Sequence, residues 1–229
     1  MPGTAYGLLL EQAWGCGMNP RMRSAGTAGI IGGISLAILV FIFFTSGATP
    51  EIFRDPAKAL PFLSQNLGRW RALTLFSAVA LIAATLFVTG LAAKLHDRTP
   101  TRATGVLYFG LFGIVGHALG TALFGFAVPA VTAATDQVAA AHAWTAVYAI
   151  DLATDAVGSF FIGVSVLLAG WVITSTRVMS SALGWYAVLT GAVSILAVLA
   201  PSVEILGLGS FILPAIWLVW AGAVLRQGA

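Results

Sequence analysis

Charge is the scarcest property of this sequence. Asp, Glu, Lys and Arg together make up 8% of 229 residues, while 59% are hydrophobic. A water-soluble domain carries about a quarter of its residues as charges, so water is excluded as the solvent for most of this surface. One cysteine, Cys16, excludes an intramolecular disulfide and any cysteine-based metal cluster. No metal-ligating residue is assigned. No P-loop, GxSxG elbow, HExxH or strand-associated GxGxxG is present. The net charge of +3 comes from dispersed Lys and Arg with no basic cluster, which argues against a nucleic-acid partner.

What is abundant is long apolar sequence. Six runs, at about 28–46, 72–93, 104–128, 149–172, 183–200 and 205–225, each meet the roughly 20 residues needed to cross a hydrocarbon layer of about 30 Å. None alternates apolar and polar residues as an outer-membrane barrel strand does. The expected fold is therefore all-α, a polytopic transmembrane bundle of six helices in one domain over 28–226. Residues 1–27 form a tail, interfacial or disordered, and Met1, Met18 and Met22 are alternative starts. The 26 glycines suit close helix approach in lipid, within the chain or against another copy or a membrane partner.

Lys and Arg placement orients the bundle. With both termini inside, the inner segments hold Arg21, Arg23, Lys94, Arg98, Arg102, Arg177 and Arg226, and the outer ones Arg54, Lys58, Arg69 and Arg71. The expected topology is N-in/C-in, in the cytoplasmic (inner) membrane of a bacterium. Tyr108, Trp171, Trp185 and Tyr186 fall at inner helix ends and Trp70 at an outer one, where aromatic rings meet headgroups. The Pro-rich stretch 48–69 reads as a short helix on the outer face, and Thr135 or Asp136 as an N-cap for a fourth helix that begins outside the membrane.

Two places carry ionisable groups near lipid depth, which is costly unless they are partnered. His117 lies in the middle of the third run, and Gly113, Gly116, Gly120 and Thr121 share its face. It serves either as an interhelical hydrogen bond or as a haem, metal or proton-handling group. The haem reading requires a second histidine at similar depth, and His96 and His142 both fall at or beyond a boundary. Asp151, Asp155 and Ser159 recur every four residues along the fourth run, continuing the face of Trp144 and Tyr148. Two carboxylates one turn apart repel. Either Arg69 and Arg71 neutralise them as structural ion pairs, or they form a cation or polar-ligand site with Glu204 and His142 nearby. The ligand-binding candidates are thus His117, Thr121, Asp151, Asp155 and Ser159; no cofactor is specified and no catalytic residue identified.

Three segments carry a family likeness: ALPFLSQNLGRWR at 59–71, LAGWVITSTRVMSSALGW at 168–185, and FILPAIW at 211–217 running on to Arg226. Through them the chain resembles the DUF4386-like family of small bacterial six-helix membrane proteins of unknown function. The resemblance implies the architecture over most of 28–226 and assigns no site residue. From the residues, the leading expectation is a non-enzymatic membrane protein that binds or passes a small ligand or ion from its outer face. The alternatives are an accessory or scaffolding subunit of a membrane complex and an intramembrane haem or metal enzyme.

Overall fold

A computed structural model describes residues 20–228, with the side chain of Glu204 left aside; Cys16 and the tail before Pro20 lie outside the described residues. The described residues form eight helices and no strand: α1 (Pro20–Thr45), α2 (Pro50–Arg54), α3 (Pro56–Gln65), α4 (Leu67–His96), α5 (Pro100–Ala133), α6 (Gln137–Thr176), α7 (Ser181–Leu199) and α8 (Glu204–Gln227). All but α2 and α3 are long and apolar enough to cross a membrane. Helix α1 starts at Pro20, earlier than the apolar run at 28, because a membrane helix continues past the hydrocarbon into the headgroup layer. The same holds at the start of α6, where Asp136 accepts hydrogen bonds from the backbone N–H groups of Val138 and Ala139, each 3.0 Å long. This N-cap satisfies donors that the first turn leaves free. Arg177, left-handed at φ 54°, ends the same helix.

Spatially the spans form a closed ring in the order α1, α4, α5, α6, α7, α8, with α8 returning to α1. Glycine sets how closely they approach. A Cβ on Gly222 would fall 2.6 Å from the Gly26 carbonyl oxygen, and one on Gly191 2.5 Å from that of Gly163. Backbone touches backbone at these crossings, as small residues permit in lipid. The glycines are thus largely spent on contacts inside the bundle.

The two ends of the bundle differ in packing. At the end that carries the termini, a core joins all six spans: Ala25, Phe87, Leu91, Val106, Ile173, Leu183, Trp217 and Leu225 are among its members. At the opposite end, buried residues run out. None is buried on α1 beyond Ser35, on α4 between Leu73 and Ala83, on α6 between Trp144 and Gly158, on α7 beyond Ser194, or on the described part of α8 before Ala215. One stripe of α6 shows the gradient directly. Leu152, Ser159, Val166 and Ile173 are seven residues apart and so share a face to within about 20° per step. Ile173 is 0% exposed, Val166 6%, and Leu152 52%. A face that is core at one end is open at the other.

Part of the open end is capped. Helices α2 and α3 fold over α5 and α6 and build a second cluster with Phe53, Leu60, Leu63, Trp70, Val128 and Trp144. Here the expected single short helix is two, split at Asp55, which caps α3 through Ala57 N–H at 3.0 Å. Trp70 belongs to this cluster and is buried, rather than standing at a lipid interface as its sequence position suggests. Tyr108, Trp171 and Trp185 are exposed as interfacial rings should be. The cap is pinned by the Trp144 indole N–H, which donates to the Phe53 carbonyl at 2.9 Å. Trp144→Phe keeps an aromatic ring of smaller size and loses that bond, leaving a buried carbonyl unpaired. The expected cost is about 1–2 kcal/mol, with faster proteolysis between Thr49 and Gln65; unchanged proteolysis would mean the cap is held by ring packing alone.

Candidate functional site

The site grows from the α5–α6 crossing. Gly113, Gly116 and Gly120 on α5 face Thr154, Gly158 and Ile162 on α6, and a Cβ on Gly116 would fall 2.8 Å from the Gly158 Cα. With no side chain between the backbones at this level, the His117 ring packs against α6: a Cβ on Gly158 would sit 2.9 Å from it. The imidazole then bridges one turn of α6. Its Nδ1 is 2.9 Å from Asp155 Oδ1, and its Nε2 is 3.5 Å from the Ser159 hydroxyl. Asp155 remains 46% exposed and His117 23%. The pair is therefore joined across the helices and still open on one side.

Asp151, one turn from Asp155, folds over Gly120, where a Cβ would meet its Oδ1 at 2.8 Å. Thr121 is on the His117 face of α5, one turn nearer the capped end. Beyond Asp151, Tyr148 continues the stripe, with the Arg54 guanidinium from α2 within electrostatic reach of its hydroxyl.

The arginines expected to neutralise the carboxylates do not do so. Among the described residues the ion pairs are Lys58–Asp55 and His117–Asp155. Arg69 instead donates to Asn66 Oδ1 at 3.3 Å, and Arg71 is exposed beside a cavity between α4 and α5. Burial of Trp70 explains this: it points one side of α4 under the cap and turns Arg69 and Arg71, about 100° to either side, outward. His142 is exposed on the first turns of α6, roughly 20 Å along that helix from Asp155. Among the described residues no group of three or more His, Cys, Asp or Glu side chains is arranged to hold a metal.

Depth follows from the crossing at the opposite end, where the Arg102 guanidinium stacks over the Trp171 ring at 5.4 Å. At 1.5 Å per residue His117 lies about 22 Å along α5 from Arg102, and Asp155 about 24 Å along α6 from Trp171. Measured from that crossing, both helices carry the pair about three-quarters of the way along a length of about 30 Å, the thickness of a hydrocarbon layer, with Asp151 at about its full length.

Sequence reasoning placed Asp155 and Ser159 on one face of the fourth span and brought out His117 separately, without joining it to them. The missing signal was Gly158, which with Thr154 and Ile162 completes the face that meets Gly113, Gly116 and Gly120. Arg54 carried no signal, because its position depends on how α2 folds back.

A ring of six helices, each long and apolar enough to cross a membrane, defines an integral, multi-pass membrane protein. The chain belongs to the family described as a domain of unknown function (DUF4386), whose model matches residues 30–223. No curated protein and no solved structure matches the chain.

Proposed function

We propose that this protein binds a small cation, either an inorganic ion or a protonated amine, which reaches the half-open end of the bundle from outside the cell. The distribution of Lys and Arg supports an N-in/C-in orientation, which makes the capped end the outer one. The observation that carries the reading is the His117–Asp155 pair on a stripe of α6 where packing gives out. Asp151 and Asp155 bring two carboxylates within a turn of each other at the edge of a low-dielectric layer. One imidazolium compensates at most one of them, and no Lys or Arg lies within ion-pair distance among the described residues. A cation between them removes the repulsion. Ser159 and Thr121 supply neutral oxygens on the same faces.

The accessory-subunit reading draws less support, because the glycine faces that would accept a partner helix are occupied within the chain. In the expected experiment, the purified protein is titrated with sodium, potassium, ammonium and small alkylammonium ions at constant ionic strength. At least one should raise the thermal midpoint, with a stabilisation that grows with concentration as RT ln(1 + [L]/Kd). Asp155→Asn and Asp151→Asn should each abolish the rise. A rise that survives in both variants, or its absence across the series, overturns the cation site.

A further inference from the structure

A second site lies on the other side of the capped end, away from the His117 pair. A cavity of about 120 Å³ opens between α4 and α5, lined by Leu67, Trp70, Arg71, Phe124, Val128 and Pro129 among others. Gly125 makes room for it on α5, with Thr74 packed against the glycine. Two features of its lining have no explanation within the chain. Trp70 is 8% exposed, yet its indole N–H has no hydrogen-bond partner. Buried donors are nearly always paired, and an orphan costs about 1–3 kcal/mol. Beside it, Arg71 has no carboxylate within ion-pair distance among the described residues. The rest of the lining is largely apolar.

The level of the cavity identifies what fits. Phe124 and Pro129 lie about 33–40 Å along α5 from Arg102, beyond a hydrocarbon core of about 30 Å and within the headgroup layer that extends a bilayer to about 40–45 Å. A guanidinium, an N–H donor and apolar walls at headgroup height match a group with anionic oxygens at one end and hydrocarbon at the other. We propose that this cavity holds the headgroup of an anionic phospholipid from the leaflet at the capped end. Arg71 takes the phosphate, a small shift of the buried Trp70 ring brings its N–H to an oxygen of the headgroup region, and the acyl chains run down the α4–α5 groove past Thr74 and Phe124. Arginine suits this role because its planar fork meets phosphate oxygens in pairs. The site would hold the cap in place from the lipid side, since Trp70 also packs on Phe53 and Phe62 of α2 and α3.

The test uses the full chain in neutral detergent, with native mass spectrometry to count bound lipid and a thermal midpoint to follow its effect. Phosphatidylglycerol should bind saturably at one copy and raise the midpoint. Phosphatidylcholine with the same acyl chains should bind more weakly, and inorganic phosphate at equal concentration should give no rise. Arg71→Gln should weaken phosphatidylglycerol about tenfold, as expected for loss of a charge-assisted bond. Trp70→Phe should also weaken it severalfold, read from the count of bound lipid, because the smaller ring loosens the packing on Phe53 and Phe62 and shifts the midpoint by itself. Phosphatidylglycerol binding unchanged in both variants overturns the site. An equal response to inorganic phosphate would make it a free-anion site and overturn the lipid assignment.

Discussion

Gly158→Leu is expected to destabilise the bundle by about 3 kcal/mol or more and to break the His117–Asp155 contact in the same step. The added Cβ alone would stand 2.9 Å from the His117 ring, 3.0 Å from the Gly113 carbonyl oxygen and 3.0 Å from the His117 backbone nitrogen. Two of these three are backbone-level contacts that no rotamer change relieves, so α5 and α6 must move apart. Overpacking a well-filled site costs about 1–3 kcal/mol, and a leucine at a backbone-to-backbone crossing lies at or above the top of that range. The effect should be local in origin and shared by Gly116→Leu, whose Cβ would press on the Gly158 Cα and nitrogen at 2.8 and 2.9 Å. Gly68, where a Cβ meets nothing within 4 Å, is the control. Its substitution should change the thermal midpoint little, and a comparable loss at Gly68 would show that backbone freedom rather than helix approach governs these glycines.

The second large effect concerns pairing. Asp155→Ala and His117→Ala should each destabilise the protein, and a double-mutant cycle should return a coupling of about 1–2 kcal/mol. Interhelical hydrogen bonds in membranes average below 1 kcal/mol and reach about 1.7; a charged acceptor places this one toward the upper end. Cycles of Asp155→Ala with Arg69→Gln or Arg71→Gln should instead be additive within about 0.5 kcal/mol, as for residues that share no partner. Strong coupling to either arginine, with none to His117, would restore the ion pair that residue spacing alone suggests.

That contrast marks how far the sequence could be read. The six spans and the Asp136 cap were legible because hydropathy and capping chemistry act locally. The face shared by Asp151, Asp155 and Ser159 was legible because helical periodicity alone fixes it. Choosing a partner for that face was not local. It depended on which side of α4 enters the core, and Trp70, an expected interfacial anchor, is buried beneath a cap whose fold-back no short-range signal encodes. Arg69 and Arg71 turn away as a consequence. His117 could be placed against another helix from its glycine neighbours, but not against Asp155 in particular, because that required the register of α5 on α6. The difference in packing between the two ends was also hidden. Leu152 and Ile173 are equally apolar in sequence, and only the arrangement of neighbouring helices makes one exposed and the other core.

The proposed cation site requires that open end to face outward, with the His117–Asp155 pair on its wall. Single cysteines introduced into a Cys16→Ser background, probed in intact cells with a membrane-impermeant thiol reagent, test it most directly. Leu152→Cys and Ser159→Cys, on the stripe that leads inward, should react from outside. Val157→Cys, on a different face of α6, and Val166→Cys, at the start of the core, should not. Labelling of Ser159→Cys only after the cytoplasmic side is exposed, or failure to label it from either side while Leu152→Cys reacts, would contradict an interior that opens outward to the site.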